Sequence, residues 1–405
     1  MAKMSELSDD LLVMILSFLP TKVAVSTSVL SKRWEFLWMC LPKLEYDDIN
    51  DINVSELSSC QRYRNFIDKN LALYRAPIIE SLRLRFLHDV ICPEDIKRWV
   101  GISVSRRVQE LSIIYITTCN EPVLLPNSLY TCSSLVALNL SSRVILVEVP
   151  GMAYLPSLKT LQISEVTYST EESLELLLSC CPVLEDLSIE RYKNDNVKEL
   201  VIIVPSLQRL TLEISSECFS DEVVIVTPSL KYFKVTDQRD AFSYLIKGMR
   251  KLEEAVIDVE QNPEKLLISV TSVKRLILRV HTNHGVDPVY HAGIVFKQLE
   301  YLRLHICNDD WSKLLVQLLQ DSPKLLILNI FSERYPWLRE WEPCSWNIEQ
   351  SSVPECLLES LETFEFSGYT GRPEESDFFS FILKNARYLN SFLVLREKKI
   401  VFIDF

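Results

Sequence analysis

Residues 169–189 read "STEESLELLLSCCPVLEDLSI", and the two halves of this stretch follow different periods. Ser169 and Glu172 stand at the spacing of a capping box, and Leu174, Leu177, Leu178 and Cys181 follow on one helical face until Pro182 ends it. From Leu184 the period falls to two. In "LEDLSI", Leu187 and Ile189 share one side of a strand and Leu184 leads into it. A helix and a strand this short cannot close a core between them, so their apolar faces need neighbours of the same kind.

Those neighbours lie on both sides. The phrase apolar-x-x-apolar-x-apolar returns as "LVALNL" from Leu135, "LKTLQI" from Leu158, "LQRLTL" from Leu207, "LKYFKV" from Leu230, "LEEAVI" from Leu252, "VKRLIL" from Val273, "LEYLRL" from Leu299 and "LLILNI" from Leu325. Outliers at the two ends are "IESLRL" from Ile79, "VQELSI" from Val108, "LETFEF" from Leu361 and "LNSFLV" from Leu389. Thirteen copies, most of them 21 to 29 residues apart, form a leucine-rich-repeat pattern. Each copy supplies one strand with an apolar face, and stacking buries those faces in a continuous core beneath a parallel sheet. The fold class expected is therefore α/β, an irregular horseshoe-type solenoid. Longer repeats have room for a helix on the return side, as in 169–182 and again in "DDWSKLLVQLLQDSP" from Asp309 to Pro323. The shortest, such as "VIIVPSLQRLTLEI", leave space only for a turn or an extended return. Apart from Cys307, the asparagine or cysteine ladder of the standard repeat is missing.

Composition narrows the function. The chain has 405 residues, 48% of them hydrophobic, and a net charge of −12. Its first 45 residues are balanced, so the acidic excess belongs to the remainder, which argues against nucleic acid and anionic membrane as partners. Eleven cysteines without a C-x₂-C pair read as reduced thiols of an intracellular protein, with nucleus or cytoplasm as the expected location. The apolar run Leu11–Leu19 is too short to span a membrane, and Glu6, Asp9 and Asp10 stand where a signal peptide needs positive charge. Only seven glycines are present, and none of their spacings makes a GxGxxG, P-loop or GxSxG motif.

The N-terminal 48 residues carry a different pattern. Ser8 is a natural N-cap with Asp9 and Asp10 in the first turn; Leu11, Leu12, Ile15, Leu16 and Leu19 follow on one face, and Pro20 ends the helix. A second helix starts after Thr21. Ser31 caps a third, with Trp34, Leu37, Trp38 and Leu41 in line. Three such helices are too small to bury their own apolar faces, and no cysteine pair or metal set staples them. Either the repeats or another protein must cover them.

The stretch "LSDDLLVMILSFLPTKVAVSTSVLSKRWEFLW" closely resembles the plant F-box motif, with Ser8 in place of the usual proline. "FIDKNLALYRAPIIESLRLRF" and "LLLSCCPVLEDLSI" resemble the F-box leucine-rich-repeat proteins of plants. Residues 352–394, "SVPECLLESLETFEFSGYTGRPEESDFFSFILKNARYLNSFLV", resemble the FBD domain that closes many of them, most recognisably at Glu374–Glu375 and "FILKNA". The resemblance implies an F-box over 1–48, a helical linker over 49–75, leucine-rich repeats over 76–351 and FBD-like terminal repeats over 352–405 that cap the sheet. It further implies a substrate-recognition subunit of an SCF-type ubiquitin ligase, non-catalytic and without cofactor. Such a subunit docks a Skp-type adaptor, and through it a cullin, by Leu7, Leu11, Ile15, Leu19, Pro20, Val29, Leu30, Trp34 and Trp38.

A substrate protein would lie along the repeats. The residue between the last two apolar positions of each copy points away from the core, and with the charges near it this marks Arg83, Asn139, Gln162, Lys234, Lys274, Arg275, Arg303 and Asn329 as candidates. Two other readings stay open: a scaffold that holds the adaptor without promoting turnover, and a small-molecule receptor, for which Lys274, Arg275, Arg279 and Arg303 would supply an anion site. His281, His284 and His291 have loop-like spacing and read as turn histidines, with no metal expected.

Overall fold

The computed structural model describes residues 7–48, 57–87, 91–118, 121–192, 195–218, 222–240, 243–260, 263–281, 294–306, 311–332, 353–396 and 399–400. The chain divides into two compact units, Met1–Val204 and Pro205–Phe405.

In the first unit the strands Lys43–Asp47, Ser81–Phe86, Glu110–Tyr115, Ala137–Ser141, Thr160–Ser164 and Asp186–Arg191 pair in parallel, in that order. Register aligns the fourth position of every copy: Leu44, Leu82, Leu111, Leu138, Leu161 and Leu187 form one buried rung. Tyr46, Leu84, Ile113, Leu140, Ile163 and Ile189 form the next. A slip of one residue would turn both rungs to solvent, so the apolar pattern itself sets the register. The strand Lys43–Asp47 adds a copy to those expected. "LPKLEY" from Leu41 obeys the phrase with Tyr46 in the third apolar place, inside the segment assigned to the three helices.

On the return side, the helix Pro93–Ser105 and the short strands Val123–Leu124, Ile145–Val147 and Thr167–Tyr168 close the core. The helix expected from Ser169 begins instead at Ser173 and runs to Ser179. The Ser173 hydroxyl accepts from the Thr170 amide at 3.0 Å and closes a turn there, so Ser169 and Glu172 do not form the expected capping box. Leu174, Leu177, Leu178 and Cys181 are buried as expected. The helix Leu57–Leu73, read from sequence as a linker, is tied into the unit. Arg64 pairs with the fully buried Asp95 at 2.7 Å, and Asp68 accepts from Arg98 at 2.6 Å and Trp99 Nε1 at 2.7 Å.

In the second unit eight strands run in parallel: Arg209–Ile214, Tyr232–Asp237, Glu254–Val259, Arg275–Val280, Tyr301–Ile306, Ile327–Ser332, Thr363–Ser367 and Ser391–Arg396. All thirteen copies of the phrase thus become strands. Short repeats return through extended segments such as Glu222–Val226 and Tyr244–Lys247, and Glu199–Ile203 does the same in the first unit. The long repeat returns through the helix Trp311–Gln320; Asp309 lies outside the described residues. In place of an asparagine ladder, buried charge pairs hold strand ends: Arg191 with Asp195 at 2.5 Å, and Asp237 with Arg239 at 2.7 Å and the Tyr244 hydroxyl at 2.8 Å. Asp48 also holds a strand end, its Oδ1 accepting the Leu87 amide at 2.9 Å.

The FBD-like segment consists of two further repeats. Helix Glu355–Glu359 precedes the strand Thr363–Ser367, and helix Pro373–Asn385 precedes Ser391–Arg396. Phe364 stacks on Phe392 at 5.0 Å and meets Phe378 edge-on at 5.6 Å, while Trp311 meets Phe378 at 5.4 Å. Glu375 explains the acidic pair noted in the sequence. It is 5% exposed, and its carboxylate accepts from the amides of Thr370, Gly371 and Arg372 at 2.9 to 3.0 Å and from the Thr370 hydroxyl at 2.9 Å. One side chain thus satisfies the amides that lead into the helix. Gly368 is equally constrained: its φ is +89°, and a Cβ there would lie 2.3 Å from the Ser332 carbonyl oxygen.

Cys181 and Cys356 fill the core. Burial pushes each thiol up to about 12, so both stay protonated and unreactive at neutral pH. Among the described residues no helix is long and apolar enough to cross a membrane.

Two outcomes are expected. Glu375→Ala strands three amides at a buried turn and should destabilise the terminal repeats by about 2–4 kcal/mol. Hydrogen exchange should accelerate over Ser391–Arg396 and stay unchanged over Ser81–Phe86, because each repeat leans only on its neighbours. In native protein, iodoacetamide should label the exposed Cys40 and Cys92 and leave Cys181 and Cys356 unmodified until denaturant is added, as read by peptide mapping.

Candidate functional site

The N-terminal helices are Asp9–Leu16, Thr21–Ser26, the 3₁₀ turn Thr27–Val29 and the 3₁₀ helix Trp34–Cys40. Ser8 caps the first, its hydroxyl accepting from the Leu11 amide at 3.4 Å. Arg33 fastens the same end: it reaches Asp9 at 2.7 Å and also donates to the Leu7 carbonyl. The Asp9 pair is solvent-exposed and stabilises by only ~0.5 kcal/mol, so its use is positional.

One side of this group rests on the first repeat. Leu12, Leu16, Ala24, Leu37, Met39 and Leu41 are buried, and the first helix packs on the 3₁₀ helix. The Thr21 hydroxyl accepts from the Glu45 amide at 2.8 Å, which joins the second helix to the strand Lys43–Asp47. Tyr74 donates its hydroxyl to the Leu41 carbonyl at 2.6 Å, and the Arg75 amide donates to the Met39 carbonyl at 2.9 Å. The chain therefore covers the inner apolar face itself and holds the helices rigidly on the end strand.

The outer face has no such cover. Leu11, Met14, Phe18, Leu19, Val23, Val29, Leu30 and Phe36 are all exposed, with Phe18 at 83%, Val29 at 86% and Leu30 at 65%. Eight of the 24 exposed large hydrophobics among the described residues thus fall within 11–36. A soluble monomer does not usually concentrate apolar surface in this way; such patches mark interaction sites.

This geometry sorts the residues named from sequence. Leu11, Leu19, Pro20, Val29 and Leu30 face solvent; Leu7, Ile15 and Trp34 are half-buried. Trp38 does not belong with them. It is 5% exposed and its Nε1 donates to the Glu35 carbonyl at 3.1 Å, so it serves the interior. Two expectations about local structure are corrected as well. The first helix does not have one apolar face: Leu12 and Leu16 are buried, while Leu11 and Met14 are exposed, as is Phe18 in the turn that follows. The third helix is 3₁₀ over 34–40, with about three residues per turn, so the spacing that aligned Trp34, Leu37, Trp38 and Leu41 does not apply, and Ser31 does not cap it. Met14, Phe18, Val23 and Phe36 were not singled out from sequence. Met14 and Phe18 lie three and seven residues after Leu11, a second helical stripe that could have revealed them.

The second candidate surface is the side of each sheet turned away from the core. In the first unit Arg83, Asn139 and Gln162 lie there with Ser112 and Ser188, and Arg83 meets Glu45 at 3.4 Å. In the second unit Lys234, Arg275, Arg303 and Asn329 lie on the strands and Lys274 in the turn before one. Lys234 pairs with Glu213 at 2.6 Å. Arg275 pairs with Glu254 at 3.8 Å and covers the Tyr301 ring at 4.0 Å, and Arg279 pairs with Asp258 at 3.3 Å. Among the described residues, Arg275 and Arg279 are thus engaged by carboxylates on neighbouring strands, whereas Lys274 and Arg303 have no carboxylate partner there. His281 meets Asp258 at 3.2 Å; His284, His291 and Cys307 lie outside the described residues. Among the described residues no group of three or more His, Cys, Asp or Glu could hold a metal.

Comparison with known proteins agrees with this layout. Residues 4–45 match the F-box domain, 96–241 match the repeats described as "FBD-associated F-box protein At5g56370, LRR repeats", and 349–392 match the FBD domain. Over 397 residues the chain is 59% identical to the putative FBD-associated F-box protein At5g56700 of Arabidopsis thaliana, covering 98% of both chains. It is 54% identical to the FBD-associated F-box protein At5g60610 of the same plant, covering 96% of this chain and 99% of that one. With the putative F-box/FBD/LRR-repeat protein At5g62970, also from Arabidopsis thaliana, identity is 47%, over 96% of this chain and 92% of that one. At 59% identity over 98% of both chains, and with all three domains matched in order, this chain belongs to the plant F-box/FBD/leucine-rich-repeat family.

Proposed function

We propose that this protein is a substrate-recognition subunit of an SCF-type ubiquitin ligase. The outer face of its N-terminal helices docks a Skp-type adaptor, which bridges to a cullin, and the repeats hold a protein substrate. The observation that carries this reading is the bare apolar face over Leu11–Phe36 on helices whose other face is fixed to the first repeat. Such a face is rigid before binding, so docking spends little free energy on ordering it. The chemistry belongs to the partners: the chain raises the effective concentration of substrate lysines near a charged conjugating enzyme and contributes no reacting group. Nucleus and cytoplasm are the compartments in which this work is done.

The small-molecule receptor reading is weaker, because Arg275 and Arg279 already have carboxylate partners. The test is co-purification with a Skp-type adaptor. Wild type should form a one-to-one complex. Leu11→Asp with Leu30→Asp places two carboxylates in the docking face, at positions already exposed in the free protein; the variant should fold normally and bind about 100-fold more weakly or not at all. A folded, monodisperse wild type that ignores the adaptor would overturn the reading.

A further inference from the structure

The outward face of the second unit contains an incomplete polar site. On the strands Glu254–Val259 and Arg275–Val280 every outward cation has a carboxylate partner. The next strand carries Arg303 at its middle outward position, half-buried, and among the described residues no hydrogen bond or ion pair engages its guanidinium. Its register neighbours are Ile277 on one side and Asn329 on the other, neither of them acidic. Asn329 donates Nδ2 to the Tyr301 hydroxyl at 3.1 Å, but its Oδ1 is buried without a hydrogen bond. A cation lacking a counter-charge and a carbonyl lacking a donor thus stand at paired positions of adjacent strands, whose spacing is about 4.8 Å. Unsatisfied buried polar atoms are costly in the free protein, and a ligand that satisfies both removes that cost.

The surroundings select the ligand. Tyr301 and His305 flank Arg303 on its own strand, and His305 lies 5.3 Å from the ring of Phe331, which is 41% exposed. Arginine set among half-buried Tyr301 and His305 and exposed Phe331 is the composition of an interface anchor. A simple anion would satisfy Arg303 but offer Asn329 nothing. An extended peptide supplies both a side-chain carboxylate and a backbone N–H. Glu365, the next register neighbour beyond Asn329, would repel a second carboxylate on that side and so fixes which way the acidic residue points.

We propose that Arg303 and Asn329 anchor an acidic, extended segment of the substrate protein. An Asp or Glu side chain of that segment meets Arg303, the Asn329 amide turns outward so that its Oδ1 accepts a backbone N–H, and an apolar side chain rests on Phe331. This deepens the function proposed above and rests on its view that the repeats hold a protein.

The experiment pans random peptides displayed on phage against the full chain, with adaptor co-purification run in parallel. Enriched sequences should carry Asp or Glu beside an aliphatic or aromatic residue. Their affinity should fall about tenfold in Arg303→Gln, by a smaller factor in Asn329→Ala, and not at all in Lys297→Gln, an exposed lysine off this face. Arg303→Glu should shift the selection towards Lys and Arg. Thermal melts and adaptor binding equal to wild type show that the variants remain folded, and the Gln and Ala variants keep the test decisive if the charge reversal misfolds. Failure to enrich any peptide, enrichment of sequences without carboxylates, or acidic peptides indifferent to Arg303→Gln would each overturn the proposal. A chain that selects acidic peptides through Arg303 yet ignores the adaptor would support this site and refute the ligase reading.

Discussion

Two apolar side chains per strand, two residues apart, carry this fold. A single strand with that pattern has nowhere to put its apolar face, whereas a parallel neighbour in register turns two side chains into two continuous rungs. In the first unit the rungs run from Leu44 to Leu187 and from Tyr46 to Ile189; in the second they run from Leu210 to Phe392 and from Leu212 to Val394. Every other feature follows from keeping those rungs aligned. The returns differ because they need only span the gap and cover the core, and so a helix, a short strand or a buried Asp–Arg pair each serves.

A stack of this kind must end somewhere, and the exposed rung at an end is its weak point. At the N-terminal end of the first unit the chain sets its three helices and the strand Lys43–Asp47 against the first repeat, through Thr21, Tyr74 and the Arg75 amide. In the second unit the last two strands are reinforced by clustered phenylalanines and by the carboxylate of Glu375 at the helix entrance. The N-terminal solution has a by-product that the C-terminal one lacks. Anchoring a small helical group by one face leaves the opposite face rigid, apolar and bare, which is what a docking surface requires.

On the outward sheet faces the physics is electrostatic. Charged residues on adjacent strands lie close enough to neutralise each other, as Arg83 with Glu45 and Arg279 with Asp258 do. Exposed pairs of this kind contribute little to stability, but they remove those groups from recognition. A residue on this face becomes informative where the pairing fails, and Arg303 beside Asn329 is such a place.

The sequence alone determined the repeat, its register and thirteen of its strands, because a period of two within a period in the twenties is local information. It also marked the N-terminal helices as needing cover, and the family resemblance named Leu11, Leu19, Val29 and Leu30, half of the eight large hydrophobics exposed there. It did not separate Leu12 and Leu16 from Leu11 and Leu19, since a helix apolar on two sides shows its inner side only when something packs against it. Through the family resemblance it placed Trp38 in the adaptor-docking set, but side-chain direction there follows 3₁₀ geometry, which local spacing does not reveal and which turns it inward beside Leu37 and Met39. It passed over "LPKLEY" because that phrase becomes a strand only beside Ser81–Phe86. Which charges on the face are neutralised was likewise invisible, since the partners are about twenty to forty residues apart along the chain and meet only across the sheet. Periodicity specifies which residues turn inward together; only tertiary packing decides which apolar and charged groups are left without a partner.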